Sequence, residues 1–458
     1  MAKIRFHEGI LVVEGLSSEK ASEISELLWD ERLGAYSAPA QAYRNIILKF
    51  HEKSWEYDDQ ARQFERLSIT PNWDIQLRPY QTQAIERFQK NSYQGVVILP
   101  TGAGKTVVAM MAICEVQRPT LIVVPTIDLL HQWQKVLEER FQCTIGALGG
   151  GEKDVKAITV STYESARIHI AEIGNKFGFL IVDECHHLPG PSHQMLARGS
   201  IAPFRLGLTA TLERGDGQEN LVYELLGAKV HETAIEELTD KVLAPYEVVE
   251  VPIELTDDEK KAYEFHRKEW KQFCAIRGIR FGGPSGWQHF LSEVVRSGRD
   301  GRNALKSWRT QSQIASGAEN KYHALWDILV QHIGERVIIF TSTNKVAYTI
   351  GQKFFLPVLT CQTKAVERKL LLKQFRSGDV PVLVTSKVLN EGVDVPEASI
   401  AVIMSGSGQT REHVQRLGRI LRASPGKSAV LYEVVAMDTS ERYVHERRRQ
   451  HRAYQRLT

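Results

Sequence analysis

The sequence predicts an α/β protein of two parallel-sheet lobes, with a basic helical insert between them and a small unit in front. Three observations carry that expectation. The chain has 458 residues, well past the size at which a single hydrophobic core stops growing. Residues 75–235 alternate short apolar runs with longer amphipathic stretches, which is the pattern of parallel βαβ units, in a first lobe of residues 75–240. The same alternation returns after residue 320, in a second lobe assigned residues 241–255 and 317–440.

Taken in order, residues 1–70 are a separate unit, with a strand signal at Gly9 to Val13 and a linker around Thr70-Pro71-Asn72. In the first lobe, Val96 to Leu99, Leu121 to Val124, Ile158 to Val160, Phe179 to Val182 and Leu206 to Leu208 read as buried strands. Residues 256–316 read as helical, and the cluster from Gly282 to Gly286 divides them into the two arms of a hairpin. The strands of the second lobe are Val337 to Phe340, Val382 to Val384, Ile400 to Ile403 and Ala429 to Tyr432. Residues 441–458 are a basic tail.

The composition, 43% hydrophobic and 25% charged, excludes a fibrous or wholly disordered chain. The net charge of +3 hides an uneven distribution. Residues 260–309 hold twelve Lys and Arg against four Asp and Glu, and the tail holds six Arg against two Glu, on an otherwise acidic body. Such islands suit a polyanion, whose condensed counterions are released on contact; a solvated helix face is the alternative reading of each island taken alone. The apolar runs fall far short of the roughly 20 residues a bilayer span needs. The N-terminus lacks the apolar core of a secretory signal. The expected location is cytoplasmic, on the nucleoid if the source is prokaryotic. The five cysteines are scattered without a CxxC pair, as free thiols in a reducing compartment would be, and imply no metal.

Three motifs carry chemistry. Val96 to Leu99 runs into Pro100-Thr101-Gly102-Ala103-Gly104-Lys105-Thr106 and then a helical stretch. Gly102 and Gly104 permit positive φ, so successive N–H groups and a helix N-terminus can face a triphosphate. Lys105 would pair with the β- and γ-phosphates and Thr106 would meet Mg²⁺. Leu99 stands where the general phosphate-loop pattern has its first glycine. The apolar strand Phe179 to Val182 ends in Asp183-Glu184-Cys185-His186, which sets two carboxylates at the ligand-binding edge of an open sheet. Asp183 would hold Mg²⁺ and Glu184 would orient and deprotonate the attacking water. Gln415, Arg419 and Arg422 share one helix face at i, i+4 and i+7. On the second lobe, these arginines would stabilise transition-state charge once the lobes close.

In order and spacing, the motifs resemble those of superfamily 2 helicases. They are Leu77-Arg78-Pro79-Tyr80-Gln81, Pro100 to Thr106, Val124-Pro125-Thr126, Ser161-Thr162-Tyr163, Asp183 to His186, Leu208-Thr209-Ala210-Thr211, Ile338 to Thr341, Glu391-Gly392-Val393-Asp394 and Gln415 to Arg422. Within the superfamily the chain is most similar to the XPB family of DNA-repair helicases, especially its short archaeal-type members, through Ile201 to Thr211, Met404-Ser405-Gly406-Ser407-Gly408 and the helical insert. The resemblance implies two RecA-like lobes, a thumb that grips DNA and an N-terminal damage-recognition domain. It implies that Arg78 and Gln81 recognise adenine, with Thr101, Gly102, Gly104, Lys105, Thr106, Gly392 and Asp394 also at the nucleotide. It implies that Thr126, Thr162 and Thr385 touch the nucleic-acid backbone. It further implies that His186, Thr209, Thr211, Arg214 and Asp216 couple hydrolysis to DNA. The family usually carries Arg-Glu-Asp where this chain has Arg214-Gly215-Asp216, a change that bears on strand separation rather than on ATP hydrolysis.

The expected activity is therefore an ATP- and Mg²⁺-dependent motor on duplex or forked DNA, in nucleotide excision repair, with a repair nuclease as a partner by resemblance. Two other readings stay open: an RNA substrate, and an ATP-dependent scaffold that recruits a nuclease and unwinds weakly. Among the aromatics of the insert, Tyr263, Trp270 and Phe273 fall at i, i+7 and i+10, the spacing of a core stripe.

Overall fold

The computed structural model describes residues 1–70, 76–212, 217–238, 246–281, 286–386, 398–405 and 429–443. The chain divides into two compact units, the first made of residues 1–99, 104–212 and 218–233 and the second built on residues 234–458. The expected linker at Pro71 and Asn72, the Gly282 to Ser285 break and the tail from residue 444 lie outside the described residues.

The first unit opens with β1 (Ala2–His7), β2 (Ile10–Glu14), α1 (Ser18–Ser22), β3 (Leu28–Asp30), β4 (Ala35–Pro39), α2 (Tyr43–Glu52) and β5 (Tyr57–Asp59). The strands form a sheet in the order β3-β4-β2-β1-β5. Strand β1 buries Ala2 and Ile4 and exposes Lys3 and Arg5, the alternation of a half-covered sheet. Helix α2 lays Tyr43, Ile46 and Phe50, at i, i+3 and i+7, into the same core. Ile201, far along the chain, completes that core, so this domain is docked on the sheet that follows.

That sheet is built from α3 (Pro79–Lys90), β6 (Gln94–Ile98), α4 (Lys105–Val116), β7 (Thr120–Val124), α5 (Ile127–Phe141), β8 (Gly146–Gly149), β9 (Glu152–Asp154), β10 (Ile158–Thr162), α6 (Tyr163–Ile173), β11 (Phe179–Asp183), α7 (Gln194–Arg198), β12 (Phe204–Thr209), α8 (Glu219–Leu226) and β13 (Lys229–Glu232). The strand order is β13-β6-β12-β11-β7-β10-β8-β9, parallel throughout except for the edge hairpin β8–β9. Every residue of β7, β10 and β11 is buried, because helices cover both faces and leave no polar side to alternate with. Strands β6, β12 and β11 are neighbours. The segments leaving their carboxyl ends, after Ile98, Thr209 and Asp183, therefore lie along one stretch of the sheet edge.

The second unit holds α9 (Ile235–Leu238), β14 (Tyr246–Ile253), α10 (Asp257–Ile276), α11 (Gly286–Arg296), α12 (Gly298–Ser316), α13 (Glu319–Gln331), β15 (Val337–Phe340), α14 (Asn344–Phe354), β16 (Val358–Leu359), α15 (Ala365–Ser377), β17 (Val382–Thr385), β18 (Ile400–Ile403) and β19 (Ala429–Ala436). Its sheet runs β14-β19-β18-β15-β17-β16, and β14 pairs with β19 in parallel from Tyr246 opposite Ala429 to Ile253 opposite Ala436. Lys321 is fully buried under this sheet, its Nζ donating to Met404 O at 2.5 Å and to Glu441 Oε2 at 2.6 Å. Burying that ammonium is tolerated because it is both paired and hydrogen-bonded.

The insert differs from the expected two-armed hairpin, since its described residues form three helices. Helix α11 ends at Arg296, and α12 starts at Gly298, whose φ of +57° turns the chain. Gly301 then lets α12 approach α11 closely, since a Cβ there would lie 2.2 Å from Val294 O. Phe273, Cys274, Phe290, Val294 and Ala304 form the core of the insert, with Trp270 packed at its edge. Tyr263 is also buried, but it faces the end of the lobe sheet, where its hydroxyl accepts from Ser440 N at 2.7 Å. Phe265 stays 61% exposed.

Candidate nucleotide-binding site

The turn between β6 and α4 takes the shape that its glycines allow. Gly102 and Gly104 have φ of +85° and +84°, and Gly104 caps α4 directly, so the first N–H groups of that helix are presented without a side-chain cap. Ala103 N donates to Pro100 O at 3.1 Å and tightens the turn. Thr101 and Thr106 are half-buried on either side of it. A Cβ at Gly104 would lie 2.5 Å from Gln81 Nε2, so Gln81 packs directly on the loop. Gln81 is itself held by a capping box, with its Oε1 accepting from Arg78 N at 3.0 Å. Arg78 is exposed and its Nη1 donates to Tyr80 Oη at 3.2 Å.

Lys105 Nζ lies 3.4 Å from Leu99 O and 3.8 Å from Glu184 Oε1. Asp183 ends β11, and Glu184 turns away from it with φ of +47°. This left-handed residue is fixed from three sides. Glu184 N donates to Asp183 Oδ1 at 3.0 Å, Trp133 Nε1 donates to Asp183 Oδ2 at 3.0 Å, and the Tyr163 hydroxyl reaches the carbonyls of Asp183 and Glu184 at 2.9 and 3.1 Å. Burial and the neighbouring Glu184 push the Asp183 carboxyl up to about 6, while Lys105 and the Trp133 hydrogen bond pull it down.

Glu184 is linked to the next strand. His186 is fully buried, with Nδ1 at 2.9 Å from Thr209 Oγ1 and 3.4 Å from Glu184 Oε2. Thr209 Oγ1 donates to Thr211 O at 2.8 Å. A hydroxyl has one proton, so with that proton on Thr211 the hydrogen between His186 and Thr209 belongs to Nδ1 of the imidazole. The result is a continuous chain from Lys105 through Glu184, His186 and Thr209 to Thr211, crossing from the end of β11 to the end of β12.

Comparison with known proteins fits this geometry. Residues 74–214 match the type III restriction enzyme res subunit family, residues 320–424 the helicase conserved C-terminal domain, and residues 4–61 the xeroderma pigmentosum group B helicase damage recognition domain. The DNA 3'-5' translocase XPB2 of Sulfurisphaera tokodaii is 38% identical over 450 residues, covering 98% of this chain and 100% of that protein. The chain belongs to the XPB family. The DNA 3'-5' helicase XPB of Mycobacterium tuberculosis is 33% identical over 378 residues, which is 80% of this chain and 61% of that one. The helicase domain of Pyrococcus furiosus Hef shares the fold, with a TM-score of 0.53 at 18% identity over 81% of this chain and 98% of that one.

In this XPB-family chain the first sheet gathers Gln81, Thr101 to Thr106, Asp183, Glu184, His186, Thr209 and Thr211 along neighbouring strand ends. Thr126 and Thr162 cap α5 and α6, accepting from Leu129 N and Ser165 N, both at 3.2 Å. Thr126 is half-buried, whereas Thr162 is largely covered. Thr385 is fully buried at the end of β17 and its hydroxyl donates to Ser386 O at 3.2 Å. Arg214, Asp216, Gly392, Asp394, Gln415, Arg419 and Arg422 lie outside the described residues. Sequence reasoning missed Trp133, and gave Tyr163 no role beyond its place in the Ser161-Thr162-Tyr163 motif. Each meets the carboxylate turn across 50 and 20 residues of chain respectively, and each sits at an ordinary core position of an amphipathic helix, so their polar tips carried no sequence signal.

Proposed function

We propose that this chain is an ATP-dependent DNA translocase and helicase acting in repair, with hydrolysis at the turn of Lys105 and the carboxylates of Asp183 and Glu184. The observation that carries the reading is the bonded chain from Lys105 to Thr211. A phosphate on the Gly102–Lys105 turn competes with Glu184 for the Lys105 ammonium. Glu184 so released can take the proton of an attacking water, and its change of partner is felt by His186 and Thr209, which leads out of the site. Gln81 packs on the turn and, with Arg78 at the start of the same helix, would read the adenine end of a nucleotide.

Mg²⁺ suits the donor set. Two consecutive carboxylates, one raised in pKa by burial and then by the other, gain from a cation, and Mg²⁺ in phosphoryl-transfer sites takes one or two carboxylates plus substrate phosphates. Thr106 and Asp183 would hold it, and it would neutralise charge on the β- and γ-phosphate oxygens. Gly392, Asp394, Gln415, Arg419 and Arg422 would complete the site from the second lobe, and Arg214 and Asp216 would carry its state to the DNA. Thr126, half-buried, would meet the DNA backbone; Thr162 and Thr385, covered in this structure, would do so only in a state that uncovers them. The relatives named as DNA translocase and helicase support DNA over RNA. The basic insert supports a duplex or forked substrate. A repair nuclease is the partner expected from the family, and strand displacement with and without one measures how much unwinding depends on it.

The test is the rate of ATP hydrolysis with no polynucleotide, duplex DNA, forked DNA, single-stranded DNA and RNA at one salt concentration. Stimulation by DNA is expected; a rate that no polynucleotide raises contradicts the reading. Lys105→Ala should lower turnover by roughly 10²–10³-fold, as loss of one transition-state charge partner does, with the melting temperature retained.

A further inference from the structure

Helix α5 carries one side chain into the hydrolytic site from outside the motifs. Its buried face is Leu130, Trp133, Leu137 and Phe141, an apolar stripe at helical spacing. Trp133 is 3% exposed, and its indole Nε1 donates to Asp183 Oδ2 at 3.0 Å. We propose that Trp133 is a positioning residue for hydrolysis. It holds the Asp183 carboxylate in the attitude that a cation needs, and it ties that carboxylate to the start of α5, where the reading above places the DNA backbone at Thr126. The inference rests on that reading and adds to it a second connection, separate from the one through His186 and Thr209.

A buried indole N–H needs an acceptor, and most side-chain hydrogen bonds end on backbone or water. This one ends on the carboxylate. Asp183 Oδ1 accepts from Glu184 N at 3.0 Å, so each oxygen has a donor and the plane of the group is fixed. Each oxygen also keeps lone-pair capacity for a cation. Partners of this kind orient a ligating carboxylate, and their loss typically weakens the metal roughly 10–100-fold. The indole is held in turn by its helix. Gln134, its neighbour on α5, donates from Nε2 to Ile145 O at 3.1 Å. Leu130 packs against the end of β8, where a Cβ at Gly149 would lie 3.1 Å from Leu130 Cδ1 and 2.9 Å from Thr162 Cγ2. Thr126 caps α5 about two turns, or roughly 10 Å, ahead of Trp133. A phosphodiester that displaces the cap therefore shifts the indole, and the indole shifts the carboxylate.

The test uses the full chain with Trp133→Phe and Trp133→His. Phenylalanine keeps an aromatic ring and removes the donor. Histidine restores one, since its Nε2 stands as many bonds from the backbone as the indole nitrogen and can carry a proton. Mg²⁺ is titrated by calorimetry into each protein holding a non-hydrolysable ATP analogue, and melting temperatures confirm that each variant is folded. Trp133→Phe is expected to bind Mg²⁺ roughly 10–100-fold more weakly. Trp133→His should recover much of that loss although it packs worse and melts lower. Mg²⁺ affinity that is unchanged in Trp133→Phe, or that falls with melting temperature across the two variants, overturns the positioning role and leaves the functional reading intact. The link along α5 is read by fluorine resonance of the protein containing 5-fluorotryptophan, in which the signal missing from Trp133→Phe is that of Trp133. Saturating duplex DNA without nucleotide should shift that signal in the parent, and Thr126→Ala should reduce the shift. A Trp133 signal unmoved by bound DNA overturns the link. If the parent binds no DNA, the functional reading fails instead, and the Mg²⁺ titration still tests Trp133 at Asp183.

Discussion

Asp183 shows how one side chain is shaped by its surroundings. Burial, and then the neighbouring Glu184, push its carboxyl up from the ordinary 3.8 to about 6 in the fold. A carboxyl raised on folding binds more protons in the native state between those values, so its contribution to stability falls as pH rises through that window. Comparing Asp183→Asn with the wild type in the presence of a chelator isolates the effect. The stability difference should move in favour of the variant as pH rises from 4 to 6. A difference independent of pH would show that the buried carboxyl is not raised. The residue types of this site were legible because the phosphate turn and the carboxylate pair are contiguous in sequence. The roles of Trp133 and Tyr163 were not, because a hydrogen bond across the sheet depends on register, which single residues do not encode.

Elements obey the same division. The five strands read in the first lobe all appear, since continuous apolar runs between helical stretches have few other ways to be buried. The edge hairpin β8–β9 escaped because Glu152–Asp154 is polar and exposed throughout. The insert misled because a glycine cluster at 282–286 outweighed the single Gly298, whose positive φ ends one helix and begins another. Helix α10 has a complete capping box, with Glu259 N donating to Thr256 Oγ1 at 3.4 Å and Thr256 N donating to Glu259 Oε2 at 3.0 Å. Glu259 Oε1 also accepts from Glu319 N at 2.9 Å, so this cap joins the start of the insert to α13. Thr256→Ala should cost about 1 kcal/mol, seen as faster hydrogen exchange in the first turn of α10. Exchange unchanged there would mean that the cap is held by tertiary packing alone.

Within the first unit, the N-terminal domain is attached by a small number of polar contacts around the shared Ile201. Arg44 Nη1 donates to Ser92 O at 3.0 Å and to Pro203 O at 2.8 Å, with its guanidinium 5.8 Å from the Phe204 ring centre. Asn175 Nδ2 donates to Ala61 O at 3.0 Å. Arg44→Ala leaves two carbonyls without their charged donor and should lower stability by roughly 1.5–3 kcal/mol, measured by denaturant midpoint at constant m-value. A change below a few tenths would show that Ile201 and its neighbours hold the domain alone. None of this docking was visible in the sequence, where residues 1–70 read as a separate unit, because its contacts join positions 48 to 159 residues apart.

The whole account turns on a connection from triphosphate chemistry to polynucleotide through Glu184, His186, Thr209 and Thr211. Thr209→Val removes the hydroxyl that joins β11 to β12 while keeping nearly the same volume. The decisive measurement is the ratio of ATP turnover with saturating duplex DNA to turnover without it, in the wild type and in Thr209→Val. The connection predicts a ratio well above one in the wild type, falling toward one in the variant. A variant that hydrolyses ATP with the full DNA stimulation of the parent contradicts it.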